Sequence, residues 1–240
     1  MSDLAELERA LREDSAFARL ASSHSHRAVR EDSLGFTVGR DALLADWVTS
    51  VQQPLSITAD LGEMIAFVVG AESEGWRGHR WVEREDDLIL REVLVEDRSH
   101  ERIAPAAHPP LGELRAGTGQ YAAGDCAILP PGFPPAAKAL ADRMHRAWNG
   151  RAFDLYSADW LTALVSELPD ATFYFERAIV ADTQIALFWR VHGHGAKGQR
   201  IRLIGSSLFS SGGSSDETVV DFAAMRAQAG RNLIDYSQAG

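Results

Sequence analysis

The sequence contains few of the features that mark secreted, membrane-spanning or nucleic-acid-binding proteins. Cys126 is its single cysteine, so no internal disulfide can form, which fits a reducing compartment. No apolar run approaches the roughly 20 residues of a membrane span. The 24 basic residues against 34 acidic ones give a net charge of −10, which argues against binding to nucleic acid or an anionic membrane. The acidic, amphipathic start, MSDLAELERA, is not typical of a signal peptide. We therefore expect a cytoplasmic protein.

One strand-like stretch occurs twice, 120 positions apart. Ile65–Gly75 reads IAFVVGAESEG, and Ile185–Gly195 reads IALFWRVHGHG. A tryptophan-containing segment is also repeated, since Ala45–Thr49 reads ADWVT and Ala158–Thr162 reads ADWLT. A sustained offset of this kind indicates one structural unit built twice. The 240 residues are therefore predicted to form two domains.

Hydrophobic periodicity predicts helices followed by antiparallel strands in each half. In the first half the predictions are a helix starting at Asp3 and extended by Phe17 and Leu20, a helix at Gly39–Val51, and strands at Leu55–Asp60, Met64–Ser73, Gly78–Glu85 and Leu88–Glu96. In the second half they are helices at Pro135–Trp148 and Ser157–Leu168, strands at Thr172–Val180, Gln184–His194, Gln199–Ser210 and Glu217–Asp221, and a helix or tail at Phe222–Leu233.

Three local interpretations bear on the site. Ser22–Arg30 breaks the helical pattern and is interpreted as a solvated loop, with metal ligation or base chemistry by His24 and His26 as the alternative. Alternation in the strand predicted at Leu88–Glu96 points one set of side chains one way (Ile89, Arg91, Val93, Val95 and Asp97) and another set the other way (Leu90, Glu92, Leu94 and Glu96). One face is mostly apolar and the other mixed, which is typical of a sheet with one face on a core. Ser99–Pro135 is rich in proline and glycine and is interpreted as a connector between the two halves, with a short strand at Cys126–Leu129.

The end of each half carries residues that are typical of one family. After the predicted hairpin turn, Ile89 is followed by Glu92 and, five residues later, by Asp97. Asp216 and Asp221 repeat the acidic pair at the same spacing, and Asp221 leads into a helical segment, DFAAMRAQ. Together with the order of helices and strands in each half, this pattern resembles the SnoaL-like members of the NTF2-like superfamily.

The resemblance implies an α+β fold of two tandem NTF2-like cone domains, each with N-terminal helices packed on a curved antiparallel sheet. The expected boundaries are 1–100 and 135–240, joined by a connector at 101–134. Domains of this family often dimerise through their sheets. The resemblance therefore also implies a pseudo-dimer within one chain, and it leaves further oligomerisation open.

The resemblance further implies a pocket for a small hydrophobic molecule. Enzymes of the superfamily resemble ketosteroid isomerases, polyketide cyclases, epoxide hydrolases or dehydratases, which use a carboxylate or histidine in an apolar cavity. In the second half the candidate catalytic residues are Asp221, His192, His194 and Tyr156, and the candidate ligand-binding residues are Trp148, Trp160, Phe188 and Trp189. In the first half the candidates are Glu72, Glu74, His79 and Asp97.

Each candidate has a structural alternative. His192 and His194 share one face of their strand, and Trp189 lies on the other. If the apolar face meets the helices, both histidines point away from the core. Asp221 would serve equally as a cap or turn residue, and the tryptophans as core packing. His192 and His194 also resemble the start of a cupin metal motif, but the glutamate that follows in such a motif is missing. No metal or cofactor is predicted.

Three functions remain open. The first is a cofactor-independent acid–base enzyme, of isomerase, cyclase or hydratase type, acting on a small hydrophobic carbonyl compound. The second is a non-catalytic module that binds a small molecule, and the third is a structural protein. We expect the halves to differ, with any small-molecule site in the second.

Overall fold

A computed structural model describes residues 3–11, 16–32, 35–49, 55–70, 75–97, 127–210 and 215–235. Contacts between residues divide the chain into two units, Met1–His100 and Glu101–Gly240. Both units are mixed α+β structures with one sheet each.

The first unit combines three helices with a six-stranded sheet. Its elements are α1 (Asp3–Leu11), α2 (Ala16–Ser23), β1 (His24–Glu31), β2 (Phe36–Val38), α3 (Arg40–Thr49), β3 (Leu55–Asp60), β4 (Met64–Val69), β5 (Trp76–Glu85) and β6 (Leu88–Glu96). The sheet order is β2-β1-β6-β5-β4-β3. All neighbouring strands are antiparallel except β1 and β6, which are parallel.

The β5–β6 hairpin confirms the predicted turn. Asp86 and Asp87 both have positive φ, 49° and 64°, which is the backbone of a type I′ turn. This turn fixes the register of the two strands, and Arg80 then lies opposite Leu94 and Val82 opposite Glu92.

The core of the first unit lies between the helices and one face of the sheet. Phe67 of β4 occupies the space above Gly78 of β5, where an added Cβ would lie 2.5 Å from the ring. The buried apolar side chains of this core are Leu4, Ala5, Leu7, Leu11, Leu20, Ala28, Leu43, Ile65, Phe67, Val69, Val82, Ile89 and Leu94.

The structure corrects the predicted faces of β6. The alternation in the sequence placed Ile89 on the same face as Val93, and Leu94 on the other. The pairing of β5 with β6 shifts between Glu83 and Arg84, and Ile89 joins Leu94 in the helix-covered core. Because Glu92 and Leu94 are two residues apart, the mixed face is the one that meets the helices. The carboxylate of Glu92 therefore lies inside the unit.

The interpretation of Ser22–Arg30 as a solvated loop is wrong. The segment covers the end of α2 and most of β1, and His24 is 1% exposed. The parallel pairing of β1 with β6 aligns His24 with Ile89 and Arg30 with Glu92. No local pattern shows this pairing, because the two strands are far apart in sequence.

The second unit contains helices α4 (Pro135–Trp148), α5 (Asp159–Glu167) and α6 (Phe222–Asp235). Its strands are β7 (Thr172–Ala181), β8 (Gln184–His194), β9 (Arg200–Ser210) and β10 (Ser215–Val220). They form an antiparallel sheet in the order β10-β9-β8-β7. Residues 127–129 are not in a strand, contrary to prediction, and Cys126 lies outside the described residues.

Candidate functional site

Four ionisable side chains lie together in the interior of the first unit. Glu8 is on the buried face of α1, His24 begins β1, Arg80 is on β5 and Glu92 is on β6. Each residue is at most 1% exposed. We call this group the buried network. Charged side chains are rarely buried to this extent unless they are paired.

Arg80 connects the two carboxylates of the buried network. Its Nη1 donates to Glu8 Oε2, and its Nη2 donates to Glu92 Oε1. Glu92 Oε1 also contacts His24 Nε2. The other ring nitrogen, His24 Nδ1, lies 2.8 Å from Ser23 Oγ at the end of α2. The contacts thus run from α1, through the sheet, to α2.

The charges in the buried network hold Glu92 ionised. Burial alone would raise the pKa of Glu92, but the positive charge of Arg80, the hydrogen bond and charge of His24 and the charge of Arg30 together hold it well below its usual range. Burial alone would lower the pKa of Arg80, but the charges of Glu92 and Glu8 raise it above its usual range. Glu92 is therefore a carboxylate, and Arg80 a cation, at any physiological pH.

One oxygen of the Glu92 carboxylate accepts no hydrogen bond from the residues that the structure describes. Glu92 Oε2 is buried and has no hydrogen-bond partner among the residues that the structure describes. Leaving a buried charged acceptor unsatisfied costs more than the roughly 1–3 kcal/mol of a neutral group. Such an atom in a native structure calls for a water molecule, an ion or a ligand group to satisfy it.

The histidines predicted in the second unit face away from its aromatic core. His192 lies opposite Thr172 and packs on Tyr174, with ring centroids 5.0 Å apart. Burial, with the charges of Arg202 and Arg190, lowers the pKa of His192 to about 4. His192 is therefore neutral at pH 7, and its basicity is weak.

His194 forms an exposed pair with Asp170. Its Nδ1 lies 2.7 Å from Asp170 Oδ2, and its backbone N–H donates to Asp170 Oδ1 at 2.7 Å. Both side chains are about half exposed, at 52% and 54%. The backbone bond shows that Asp170 also fixes the chain at the end of β8. Such a pair is worth little in water.

Asp221 caps the last helix. Its Oδ1 accepts the backbone N–H of Ala224 at 2.8 Å, and its carbonyl oxygen accepts that of Met225 at 3.2 Å. The residue is 1% exposed. This is the cap alternative raised from the sequence, and the catalytic role stays a prediction.

Three predicted ligand-binding residues form one aromatic cluster. Trp148 of α4 packs edge-on against Trp160 of α5 and Trp189 of β8, each with centroids 5.4 Å apart. Trp189 also covers Gly205, where an added Cβ would meet the ring at 2.2 Å. The cluster resembles the densely packed interior of a small domain.

The polar atoms of the cluster are partly satisfied. Trp189 Nε1 donates to Ser207 Oγ at 3.0 Å, and Trp160 Nε1 donates to the hydroxyl of Tyr156 at 3.4 Å. Trp148 Nε1 is buried and has no hydrogen-bond acceptor within the described part of the chain. Surrounding rings can accept such an N–H weakly through their faces.

Phe188 does not join this cluster. It is next to Trp189 on β8, so its side chain lies on the opposite face of the sheet. There the guanidinium carbon of Arg190 lies 5.5 Å from the Phe188 ring centroid.

The candidates predicted in the first half do not coincide with the buried network. His79 is fully buried, and it points to the face opposite its neighbour Arg80. Asp97 donates its backbone N–H to Arg77 and is half-buried. Glu72 and Glu74 lie outside the described residues.

Sequence reasoning missed the roles of Glu8 and Arg80. One signal could have indicated Glu8, because it lies between Leu4, Leu7 and Leu11 on the apolar stripe of an amphipathic helix. A charge in such a position requires a buried partner.

In the described ranges, no group of three or more histidine, cysteine, aspartate or glutamate side chains is arranged to hold a metal ion. Among the helices of the same ranges, none has both the length and the hydropathy needed to span a membrane.

Comparisons with known proteins give limited similarity. No family model matches the chain, and no curated protein matches it significantly. A solved structure titled "Putative polyketide cyclase" from Bacillus cereus ATCC 10987 is 11% identical, with a TM-score of 0.34, over 44% of this chain and 91% of that one. A de novo designed protein with a curved β-sheet is 18% identical, with the same TM-score, over 41% of this chain and 85% of that one. Neither likeness indicates what this chain binds.

The element and strand orders described above establish a mixed α+β architecture with one sheet in each unit.

Proposed function

We propose that the protein is an NTF2-like, SnoaL-like module that binds a small molecule in its first unit, at the buried network. The observation that carries this proposal is the buried, ionised carboxylate of Glu92, which has one oxygen without a partner among the described residues. Apolar side chains, including Val82 and Leu94, share its face of the sheet. A polar group among apolar walls is the usual composition of a small-molecule site.

Binding is better supported than proton abstraction because of the same electrostatics. A general base works best when its pKa lies near the operating pH. The pKa of Glu92 lies well below its usual range, which makes the carboxylate a permanent hydrogen-bond acceptor and a weak base. In the second unit the pKa of His192 is about 4, and Asp221 already accepts a backbone hydrogen bond.

The acid–base enzyme remains the second candidate. Its support is the contact between His24 and Glu92, since a histidine oriented by a carboxylate is a common arrangement for proton transfer. The expected reaction would be of isomerase, cyclase or hydratase type, on a small hydrophobic carbonyl compound. The tandem arrangement of two NTF2-like domains and the pseudo-dimer also remain proposals.

Two-dimensional NMR on the full chain tests the binding site. Titration with a library of small aromatic and alicyclic compounds should shift the backbone amides of Val82, Glu92 and Leu94. The matched strand of the second unit, at Leu187, Trp189 and Val191, provides the comparison. Compounds that shift only the amides of Leu187, Trp189 and Val191 would refute the placement of the site in the first unit.

Hydrogen exchange at carbon separates the two candidates. Cyclohexanone is incubated with the protein in D₂O, and deuterium incorporation next to the carbonyl is measured by mass spectrometry. The binding proposal predicts no acceleration over a heat-denatured sample. An acceleration that His24→Gln abolishes and Asp221→Asn retains would favour the enzyme instead.

A further inference from the structure

Glu92 Oε2 defines the class of ligand that its surroundings can accept. We infer that the ligand presents a neutral hydrogen-bond donor, such as a hydroxyl or amide N–H, on an apolar body. This inference rests on the proposed binding function of the same site. The inference is based on the hydrogen bonds and the charges of the groups around Glu92 Oε2.

The hydrogen bonds of His24 follow from the donors and acceptors around it. Ser23 Oγ lies 2.6 Å from the carbonyl oxygen of Arg19, and a carbonyl oxygen can only accept, so the single proton of Ser23 is donated there. Ser23 Oγ therefore accepts from His24 Nδ1, at 2.8 Å. The ionised Glu92 can only accept from Nε2. Both ring nitrogens of His24 therefore face hydrogen-bond acceptors.

Positive groups already surround the carboxylate of Glu92. Arg80 bridges Glu8 and Glu92, and His24 contacts the same oxygen of Glu92 as Arg80 does. Arg30, opposite Glu92 on β1, adds a further positive charge that acts on Glu92. Glu92 therefore does not require a further counter-ion.

Each other class of ligand group is disfavoured at this oxygen. An anion would meet a carboxylate oxygen at close range, where like charges repel strongly in a low-dielectric interior. A cation would bury an additional positive charge beside Arg80, His24 and Arg30, which is costly without a counter-charge. A group that only accepts, such as an ether oxygen, leaves Oε2 unsatisfied. A neutral donor satisfies the oxygen and adds no charge.

The apolar part of the ligand follows from the neighbouring side chains. Val82 lies opposite Glu92, and Leu94 lies two residues further along β6 on the same face. Leu20 of α2 is in the same core cluster. An aromatic or alicyclic body of a few carbon atoms would contact these groups, and burial of its apolar surface would contribute to binding.

Four probes with one scaffold test this inference on the full chain. Benzyl alcohol carries a neutral donor, benzyl methyl ether lacks the donor, benzoate is an anion and benzylamine is a cation at pH 7. Isothermal titration should show benzyl alcohol binding about tenfold or more tightly than the ether, because the alcohol satisfies Oε2. Benzoate and benzylamine should bind more weakly than the alcohol.

Two variants locate the effect. Glu92→Gln should reduce the preference for alcohol over ether to less than about threefold, because it removes the charged acceptor. Glu83→Gln is the matched control, since Glu83 lies in the same sheet, is 40% exposed and pairs with Arg91; it should retain the preference. The comparison of probes on the wild-type chain does not depend on either variant folding.

The outcomes separate this inference from the proposed function. Equal affinity of alcohol and ether, as expected if a water molecule stays on Oε2, would overturn the ligand class and leave small-molecule binding intact. Tighter binding of benzoate or benzylamine would overturn it likewise. Binding of none of the four probes would also overturn it, and the NMR library screen would then decide the proposed function by itself.

Discussion

His24 and Glu92 lie 68 residues apart in the chain and contact each other in the interior of the first unit. The parallel pairing of β1 with β6 brings their strands together, and Arg80 contacts the same oxygen of Glu92 from β5. A histidine from a segment predicted to be a solvated loop is thus part of a fully buried polar network. That arrangement has energetic and chemical consequences that can be measured.

Removal of Arg80 should destabilise the protein strongly. Arg80→Met leaves Glu8 and Glu92 buried without their shared cation, and breaking a buried ion pair from one side costs about 3–5 kcal/mol. The free energy of unfolding from urea titration is the measurement. The control is Arg19→Gln, which removes a surface pair with Glu6 at 3.8 Å and should cost less than about 1 kcal/mol. Similar losses for both variants would contradict the proposed importance of the buried network.

Glu92 should make stability depend on acid pH. Its pKa is lower in the folded chain than the usual value of about 4.3, so its stabilising contribution is complete above that value and is lost as pH falls through the folded pKa. Urea midpoints of the wild type should therefore fall below about pH 4.3. For Glu92→Gln the additional loss should be smaller. Parallel pH profiles for the two proteins would count against an ionised Glu92.

His192 should make the stability of the protein depend on pH in a different range from Glu92. Its folded pKa of about 4 is below the usual value of about 6.5, so the unfolded chain binds more protons between these values. Stability from this group is complete above about pH 6.5 and declines as pH falls towards 4. His192→Gln should flatten the profile in that range and leave the profile below it unchanged. NMR titration of the imidazole gives the pKa directly, and a value near 6.5 would refute this account.

Two replacements at Asp221 distinguish a helix cap from a catalytic base. Asn is about as good a cap as Asp, while Ala costs about 1 kcal/mol. Asp221→Asn should therefore leave the free energy of unfolding nearly unchanged, and Asp221→Ala should lower it. The sequence-based hypothesis instead expects Asp221→Asn to abolish activity or shift ligand affinity, with Asp97→Asn doing neither. Ligand titration of the three variants decides between the two roles.

Gly205 should be intolerant of a side chain. The added Cβ in Gly205→Ala would lie 2.2 Å from the buried ring of Trp189, and overpacking of a core costs about 1–3 kcal/mol. In Gly195→Ala the Cβ would meet the side chain of Gln199 at 2.9 Å, which can move aside. Thermal unfolding should show a clearly larger decrease for the first variant. Equal decreases would mean that the aromatic cluster is loosely packed.

Much of the fold could be predicted because its signals are local. Leu4, Leu7 and Leu11 recur at helical spacing, and the adjacent Asp86 and Asp87 favour the turn that they form. The alternation of side chains along β8 predicts that His192 and Trp189 lie on opposite faces, and the packing of Trp189 on Trp148 agrees with this prediction.

The candidate site could not be predicted because it depends on non-local pairing. Alternation places Glu92 on the same face as Leu94, and only the packing of Leu94 with the helices in the core shows that this face is the covered one. His24 was assigned to a loop because polar residues surround it in sequence, whereas its strand is fixed by β6. Patterns of two and 3.6 residues carry no information about such partners.

A crystal structure of the full chain with benzyl alcohol is the most direct test of the site at Glu92. We expect density for the alcohol inside the first unit, with its hydroxyl oxygen about 2.5–2.7 Å from Glu92 Oε2. Its ring should contact Val82 and Leu94. An ordered water on Oε2 with no alcohol beside it, or the alcohol bound only among the aromatic rings around Trp148, would contradict the account.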